Sequence, residues 1–250
     1  MLNIVIPMAG RGSRFSNAGY ILPKPLIQLR DRAMIEVVIE NLRPRSSHRF
    51  IFICLDEHIK KWQVDEKLRK WAPDCEVVVV DRVTEGAACT VLLARPFINN
   101  SDPLMIANSD QWINTDINEY LTRFEDLGHL GGFIMTMKAN DPKWSFVRFD
   151  DSKDVIEVVE KEVVSSDATV GIYNFRKGSD YVRAAEIMIH KGLKVNNEFY
   201  VAPVYNELIR MGKKVGAYDI GSVGEGMFGL GIPEDLDAFV RHPVAQMVLR

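Results

Sequence analysis

The sequence predicts an α/β protein with a doubly wound, mainly parallel sheet. Short apolar runs alternate with amphipathic segments through the first half of the chain, which is the pattern of parallel strands covered by helices. Hydrophobic residues make up 47% of the 250 residues, enough apolar material for a large core. The second half carries strands without long helices between them, so we expect a mixed-sheet subregion along one edge.

Four buried strands are predicted in the first half, because each run is short, rich in large or β-branched apolar residues, and bounded by turn or charged residues. They are Asn3–Pro7, Arg49–Leu55, Cys75–Val80 and Pro103–Ala107. The intervening segments have helical spacing of apolar residues, and the predicted helices are Ala33–Leu42, Glu57–Trp71 and Ala87–Ala94.

The second half begins with predicted strands and returns to helices. The strands are Gly131–Lys138, Ser145–Phe149, Asp154–Glu160 and Ala168–Phe175, and the helices are Gly178–Lys191, Val201–Met211 and Pro233–Arg241. The last helix follows a glycine cluster and starts at a proline, a residue favoured at the first helical position.

Composition excludes several function classes. With 31 basic and 34 acidic residues the formal net charge is −3, which argues against a dedicated nucleic-acid binder. No apolar stretch approaches the roughly 18 residues of a membrane helix, and no basic segment precedes the first apolar run. The three cysteines have no metal-like spacing. We therefore expect a cytoplasmic protein with neither nucleic acid nor a membrane as partner.

The loop after the first predicted strand is rich in glycine and basic residues. Gly10 and Gly12 allow the backbone to approach a phosphate, and Arg14 and Lys24 supply two cations, with prolines on either side of Lys24. A glycine pair after a strand is more often an ordinary turn. The loop lacks the third glycine of a dinucleotide fingerprint and the Gly-Lys-Ser/Thr ending of a P-loop.

Acidic and basic residues follow two further predicted strands. Asp110 comes directly after Pro103–Ala107, where a carboxylate can hold Mg²⁺ against phosphates or cap a turn. Glu160 and Lys161 end another strand, where a charged pair can serve a site or protect a strand edge from aggregation. The residue types alone leave these alternatives open.

Seven ordered segments resemble motifs of the nucleotidyltransferases that make sugar nucleotides and CDP-activated small molecules. They are Ala9–Arg14, Pro23–Pro25, Glu85–Ala88, Asn108–Asp110, Val159–Lys161, Gly171–Tyr173 and Gly231–Leu236. The resemblance covers more than 200 residues. It implies a Rossmann-like, GT-A-like nucleotidyltransferase fold in a single domain over residues 1–250. The nucleotide-binding half would span about 1–128 and the acceptor-binding half 129–250.

The resemblance also implies roles for individual residues. Arg14, Lys24 and Lys161 are the expected catalytic residues, and Asp110 the expected ligand of Mg²⁺. The nucleoside triphosphate would contact Met8, Ala9, Gly10, Gly12, Ser13, Arg14, Glu85, Gly86 and Asn108. A small phosphorylated acceptor would contact Trp112, Glu160, Lys161, Tyr173 and Glu198. Members of the family often form dimers or tetramers, and the sequence leaves the oligomeric state open.

The opening Ile4–Gly10 resembles a capsule-associated branch that includes a CTP:phosphoglutamine cytidylyltransferase of capsule phosphoramidate synthesis. That resemblance implies transfer of CMP from CTP to L-glutamine phosphate. A carboxylate at Glu85 favours a base with an exocyclic amine, which guanine also carries, and Glu85 equally suits the first turn of a helix capped by Thr84. A sugar-1-phosphate acceptor with UTP, dTTP or GTP therefore stays open.

One position departs from the family pattern. Gly229 occupies the place where the family usually supplies a second metal carboxylate. Either Asp110 and phosphates alone hold the metal, or Glu198 or Glu225 replaces the missing ligand. The departure also fits a nucleotide-sensing domain without catalysis, although Lys24, Arg14 and Asp110 are all present. Another alternative is a glycosyltransferase, which has a similar α/β core and a carboxylate-bound metal and uses a nucleotide sugar. The glycine-rich loop argues against it, because a glycosyltransferase binds no triphosphate.

Overall fold

The computed structural model of this protein describes residues 1–249. The strands are β1 Leu2–Pro7, β2 Gln28–Leu29, β3 Arg32–Ala33, β4 His48–Leu55, β5 Glu76–Val80, β6 Leu104–Ala107, β7 Gln111–Ile113, β8 Leu130–Lys138, β9 Ser145–Phe149, β10 Val155–Glu160, β11 Asp167–Phe175, β12 Lys214–Ser222 and β13 Met227–Gly229. The helices are α1 Ser13–Asn17, α2 Met34–Leu42, α3 Asp56–Trp62, α4 Val64–Trp71, α5 Ala87–Leu92, α6 Arg95–Ile98, α7 Ile117–Asp126, α8 Gly178–His190, α9 Val204–Arg210, α10 Pro233–Arg241 and α11 Pro243–Val248, and a 3₁₀ turn covers Lys24–Leu26.

The first half of the chain forms four adjacent parallel strands in the order β6-β1-β4-β5. The chain builds outward from β1 to β5 and then crosses back to β6 on the other side of β1. The loops that follow β1 and β6 consequently leave the sheet side by side. Such a switch point is where open α/β sheets bind ligands. The predicted doubly wound, mainly parallel sheet is confirmed for this half.

The second half adds the predicted mixed region to the same nine-stranded sheet. Strand β11 runs antiparallel to β6, β8 and β9, while β12 runs parallel to β8. The β8–β11 register shifts between Thr169 and Tyr173, around Gly171, whose φ is +88°. This irregularity leaves the Gly171 backbone facing the loop after β6, and Asn108 N–H donates to the Gly171 carbonyl over 3.0 Å.

Apolar side chains cover both faces of the sheet. Along β1, Ile4 and Ile6 join one core layer and Val5 joins the other, as the alternation of a strand requires. Helices α2, α4, α7 and α10 pack on the first face, and α5, α8 and α9 on the second. Between residues 1 and 249, no helix combines the length and apolar character needed to cross a membrane.

Three of the longer elements differ from the sequence prediction. The single helix expected over Glu57–Trp71 is broken at Gln63, whose φ is +48°, and Lys67 Nζ binds the Trp62 carbonyl at the break over 2.6 Å. Helix α7, which begins where the Asp116 side chain accepts from Asn118 N–H, was not predicted. Strand β12 was also missed, because it pairs with β8 alone and is mostly half-exposed, so it lacks a continuous apolar run.

Asn41 ties the short strand β7 to the body of the protein. Its Nδ2 donates to the Ile113 carbonyl and its Oδ1 accepts from Ile113 N–H, both over 2.8 Å. The side chain thus pairs with the edge of β7 that β13 leaves free. Since β7 follows Asp110 directly, this contact also fixes the loop after β6.

We expect Asn41→Ala to lower the free energy of unfolding by about 1–3 kcal/mol, because two Ile113 backbone groups lose their partners. Urea unfolding measures the change, and the denaturant slope should stay constant. Asn99→Ala, at an exposed position, is the matched control and should change stability by less than about 0.5 kcal/mol. Equal midpoints for the two variants would contradict the assignment.

Candidate active site

The loop between β1 and α1 presents its backbone to a cleft. Gly12 has a φ of +60°, a left-handed conformation that favours glycine, and its carbonyl accepts from Phe15 N–H and Ser16 N–H. A Cβ on Gly12 would lie 3.0 Å from the Lys24 Cβ, whereas a Cβ on Gly10 would meet nothing within 4 Å. The loop is therefore tightly packed at Gly12 and open at Gly10.

Lys24 and Asp110 form a direct ion pair at the switch point of the sheet. Lys24 starts the 3₁₀ turn after Pro23, and Asp110 follows β6. Their side chains are 21% and 27% exposed, so the pair is only partly shielded from solvent and remains accessible to a ligand. Each charge thus satisfies the other in the ligand-free protein.

Gly231 allows this pair to sit close to the backbone of the segment after β13. A Cβ at residue 231 would lie 2.6 Å from Asp110 Oδ2 and 3.5 Å from Lys24 Nζ. Leu230 N–H donates to the Asp110 carbonyl over 2.8 Å, which fixes the two segments together. The glycine therefore makes room for the Asp110 carboxylate.

Three cavities meet around Asn108. The loop cavity, of about 490 Å³, is lined by Pro7, Met8, Ala9, Gly10, Arg11, Gly12, Lys24, Pro25, Val83, Thr84, Gly86, Ala87, Thr90, Asn108, Ser109, Asp110 and Glu198. The glycine cavity, of about 580 Å³, is lined by Arg14, Ala18, Asn108, Asp110, Gln111, Lys143, Trp144, Lys161, Met227, Gly229, Gly231, Ile232, Pro233, Glu234 and Asp235. The hydroxyl cavity, of about 200 Å³, is lined by Ala87, Asn108, Lys143, Trp144, Ser145, Glu160, Lys161, Thr169, Val170, Gly171, Tyr173, Tyr200, Val201 and Ala202.

Lys161 stands between the glycine and hydroxyl cavities. Its φ is +59°, and its N–H donates to the Trp144 carbonyl over 3.0 Å. The Nζ atom lies 4.9 Å from the centre of the Tyr200 ring. A hydrogen bond to Tyr200 raises the pKa of Lys161, so this ammonium is fully charged at neutral pH. The geometry places a cation where the glycine and hydroxyl cavities meet.

Glu160 is a buried carboxylate at the hydroxyl cavity. It is 9% exposed and accepts a hydrogen bond from Ser145 Oγ. Burial raises the pKa of Glu160, while the Ser145 bond and the Lys161 charge partly oppose that rise. Nearby, the Tyr173 hydroxyl lies 3.0 Å from Thr169 Oγ1, and burial raises the pKa of Tyr173. The cavity thus combines hydroxyl groups with one carboxylate.

Most of the residues singled out in the sequence do converge on this cleft. Met8, Ala9, Gly10, Gly12, Gly86 and Asn108 line the loop cavity, Lys24 and Asp110 lie at its centre, and Glu160, Lys161 and Tyr173 line the hydroxyl cavity. Glu198, expected near the acceptor, lines the loop cavity instead. The arrangement brings the basic and acidic groups around a common junction at Asn108 and Asp110.

Trp112 does not reach the cleft, contrary to the expected acceptor contact. It is 7% exposed and packs against Phe228 and Phe239, with ring centres 5.6 and 5.7 Å away. The reason is strand alternation: Gln111 and Trp112 point to opposite sides of β7, and Gln111 takes the cleft side.

Glu85 also differs from its expected place. Its carboxylate is 68% exposed and pairs with Lys194 over 2.7 Å, while only its carbonyl is fixed, by Phe199 N–H over 2.8 Å. Gly86 permits this docking, since a Cβ there would lie 2.4 Å from the Phe199 carbonyl oxygen. The carboxylate therefore gives no basis for choosing among nucleotide bases.

Two residues of the first loop take positions that the motif did not specify. Arg14 lines the glycine cavity rather than the loop cavity, and Ser13 lines none of the three. Arg11, between the two glycines, lines the loop cavity instead. Both arginines extend from one short turn, so the spacing alone does not reveal which cavity each one faces.

Sequence reasoning missed Gln111, Lys143 and Asp235 in the glycine cavity. Gln111 is 5% exposed, and its Nε2 has no hydrogen-bond partner within residues 1–249. Its position directly after Asp110 was the available signal. Asp235 lies within the Gly231–Leu236 motif, which gave it no individual role, and Lys143 stands in a segment where charged residues usually face solvent.

We expect Gly231→Ala to reduce turnover by about 100-fold or more, because its Cβ would displace the Asp110 carboxylate from its place beside Lys24. Steady-state kinetics measure the loss, and circular dichroism reports whether the fold is kept. Gly128→Ala, where a Cβ would have its nearest neighbour at 3.8 Å, is the control. Turnover within about threefold of wild type would contradict a role for this geometry.

The pH dependence of stability should differ between Glu160→Gln and the wild type. Because the folded pKa of Glu160 is raised above 4.5, the folded protein binds its proton more tightly than the unfolded chain. As the pH rises through the raised pKa, ionisation of Glu160 lowers the stability of the wild type. Glutamine does not ionise, so the variant avoids this loss. We therefore expect Glu160→Gln to gain stability relative to wild type between about pH 4 and pH 7 in urea titrations.

The exposed neighbour Glu162→Gln is the matched control for this pH experiment. A stability difference between Glu160→Gln and wild type that stays constant over the same pH range would show that Glu160 is not held in an environment that disfavours its charge.

Comparison with known proteins identifies the family. The chain matches the Nucleotidyl transferase family model over residues 4–215. No curated protein sequence matches it. Nucleoside-diphosphate-sugar pyrophosphorylase from Vibrio cholerae RC9 superimposes with a TM-score of 0.80 at 25% identity, covering 95% of this chain and 99% of that one.

Two further solved structures share the fold at lower identity. A putative glucose-1-phosphate thymidylyltransferase from Bacillus anthracis gives a TM-score of 0.74 at 19% identity, covering 95% and 93% of the two chains. Inositol-1-phosphate CTP transferase from T. maritima gives 0.76 at 15% identity, covering 99% and 94%. The chain therefore belongs to the nucleotidyl transferase family and is similar in structure to a nucleoside-diphosphate-sugar pyrophosphorylase.

Proposed function

We propose that this enzyme transfers CMP from CTP to a small phosphorylated acceptor such as L-glutamine phosphate and releases pyrophosphate. The observation that carries the transfer reaction is the Lys24–Asp110 pair at the junction of the loop and glycine cavities. The loop cavity would hold the nucleotide, and the glycine and hydroxyl cavities would hold the acceptor. The product would feed capsule or surface-polysaccharide precursor synthesis.

In the proposed reaction, an acceptor phosphate oxygen attacks the α-phosphorus in line. A bond forms between that oxygen and the α-phosphorus, and the bond to the β-phosphate oxygen breaks as pyrophosphate leaves. A phosphate monoester is largely ionised near pH 7, so no strong general base is needed. Catalysis then depends on positioning and on charge neutralisation.

The side chains have distinct roles in this scheme. The open backbone at Gly10, with Arg11, contacts the β- and γ-phosphates. Lys24 leaves Asp110 and neutralises charge that builds on the α-phosphate. Lys161 holds the acceptor phosphate, and Arg14 lines the same glycine cavity. Glu160 accepts hydrogen bonds from hydroxyl or ammonium groups of the acceptor.

The residues at the junction fit a divalent cation such as Mg²⁺. Asp110 offers a carboxylate over the space that a side chain at Gly231 would fill. Within residues 1–249, no group of three or more His, Cys, Asp or Glu side chains is placed to enclose a metal, so phosphate oxygens and water would complete the shell of a bound ion. Such an ion would neutralise phosphate charge and orient the reacting groups.

Two observations support the choice of CTP and of an amino-acid acceptor. The opening Ile4–Gly10 resembles the capsule-associated cytidylyltransferase branch, and a structural neighbour from T. maritima is described as an inositol-1-phosphate CTP transferase. The buried Glu160 suits an ammonium group, and Lys143 in both acceptor-side cavities suits a carboxylate. The exposed Glu85 carboxylate contributes nothing to this choice.

A sugar-1-phosphate acceptor with UTP, dTTP or GTP is the second candidate. Ser145, Thr169 and Tyr173 beside Glu160 give the hydroxyl cavity several partners for sugar hydroxyls. The V. cholerae neighbour, at 25% identity, is described as a nucleoside-diphosphate-sugar pyrophosphorylase. A catalytically silent nucleotide sensor is disfavoured, because Lys24, Asp110 and Lys161 all face the cleft.

Pyrophosphate release distinguishes these candidates. The enzyme with Mg²⁺ is offered CTP, UTP, dTTP, GTP or ATP, each with a panel of sugar-1-phosphates and L-glutamine phosphate. We expect release only with CTP and L-glutamine phosphate. Release with UTP, dTTP or GTP and a sugar phosphate would replace the first candidate by the second, and nucleotide binding without release would favour the sensor.

Lys24→Ala and Lys161→Ala should affect different kinetic constants. Lys24→Ala should lower kcat by about 100- to 1,000-fold, because the α-phosphate loses its neutralising charge. Lys161→Ala should mainly raise KM for the acceptor and leave KM for the nucleotide within about threefold of wild type. The exposed Lys70→Ala is the control for loss of a lysine. Lys24→Ala retaining more than about a tenth of wild-type turnover would contradict the assignment.

A further inference from the structure

We propose that Asp235 is the second carboxylate that faces the divalent cation on Asp110, in place of the side chain absent at Gly229. This inference rests on the proposed function. A Cβ built on Gly229 would lie 3.1 Å from Asp235 Oδ2. The first turn of α10 therefore delivers a carboxylate into the space that a side chain at residue 229 would enter.

The two carboxylates approach the same segment from different elements, Asp110 from the loop after β6 and Asp235 from α10. Asp110 Oδ2 lies 2.6 Å from the Cβ position of Gly231, and Asp235 lies against Gly229, two residues earlier. Both carboxylates line the glycine cavity. A larger residue at either glycine would fill the space between backbone and carboxylate, so the pair of glycines fits a site assembled from Asp110 and Asp235.

A buried amide without a hydrogen-bond acceptor lines the same cavity. Gln111 lies opposite Gly229 in the β7–β13 ladder. It is only 5% exposed, yet its Nε2 has no hydrogen-bond partner within residues 1–249. A buried donor without a partner is costly. A phosphate oxygen that shares the cation would supply the missing acceptor.

The two alternative ligands considered from the sequence lie elsewhere, and Glu234, which also lines the glycine cavity, is exposed. Glu225 accepts from Ser222 Oγ over 3.0 Å. Glu198 is exposed at the loop cavity and interacts with Tyr200. Asp235 would also suit the first turn of α10 through the helix dipole alone. Within residues 1–249, however, its carboxylate has no hydrogen-bond or ion-pair partner, which leaves it available to a cation.

Calorimetric binding of a non-reacting nucleotide tests this role without turnover. The probe is whichever α,β-methylene analogue of CTP, UTP, dTTP or GTP binds the wild type most tightly, titrated in Mg²⁺ and in EDTA. We expect Asp235→Asn to weaken binding in Mg²⁺ by about tenfold or more and to leave binding in EDTA unchanged. Asp237→Asn, an exposed change on the same helix, should leave both affinities unchanged.

A relocated carboxylate provides the complementary test. In Gly229→Asp/Asp235→Ala, removal of the Asp235 carboxylate vacates the space that the new side chain enters, so the Mg²⁺-dependent affinity should return to within about threefold of wild type. Full Mg²⁺-dependent affinity in Asp235→Asn would overturn the proposal, as would its loss in Glu198→Gln instead. The readout is nucleotide binding, so the test of Asp235 remains valid even if the enzyme releases no pyrophosphate with the proposed substrates.

Discussion

The ion pair between Lys24 and Asp110 joins two loops that lie 86 positions apart in the chain. It exists because β1 occupies the middle of the parallel strands, so that the chain must return across it to form β6. The glycine-rich loop and the acidic strand end then leave the sheet together. Nearly every other feature of the cleft, from the glycine at residue 231 to the three cavities, is arranged around this contact.

The charge distribution of the cleft suits the two phosphorylated substrates of the proposed reaction, although the protein is slightly acidic. Its net charge is −3, yet Arg11, Lys24, Arg14, Lys143 and Lys161 all line the cleft. The acidic groups there are Asp110, Glu160, Glu198, Glu234 and Asp235, and of these Glu160 is buried, which raises its pKa. The cations would neutralise the phosphates, and Glu160, next to Lys161 in the hydroxyl cavity, would recognise the rest of the acceptor. Such an arrangement suits a reaction limited by positioning rather than by proton transfer.

The sequence was most informative where a backbone requirement restricts the residue type. Gly12 with its positive φ, Gly231 against Asp110, and Lys24 between two prolines were all recognisable as patterns, and the alternation of strands with helices predicted their place at the sheet edge. Side-chain direction was not predictable in the same way. Trp112 and Gln111 are neighbours on one strand, and only the register with β13 decides which of them faces the cleft. Glu85 pairs with Lys194, and Asp235 in the first turn of α10 lies against Gly229, because of tertiary contacts that the motifs do not specify.

A crystal structure of the enzyme with its bound product tests the central claim most directly, because the product spans both sides of the junction. The account predicts the nucleoside in the loop cavity and its α-phosphate on Lys24, with the Lys24–Asp110 pair separated. The distal phosphate should lie at Lys161, and the acceptor group should reach the hydroxyl cavity. A product bound with the Lys24–Asp110 pair intact, or outside the junction of the cavities, would contradict the account.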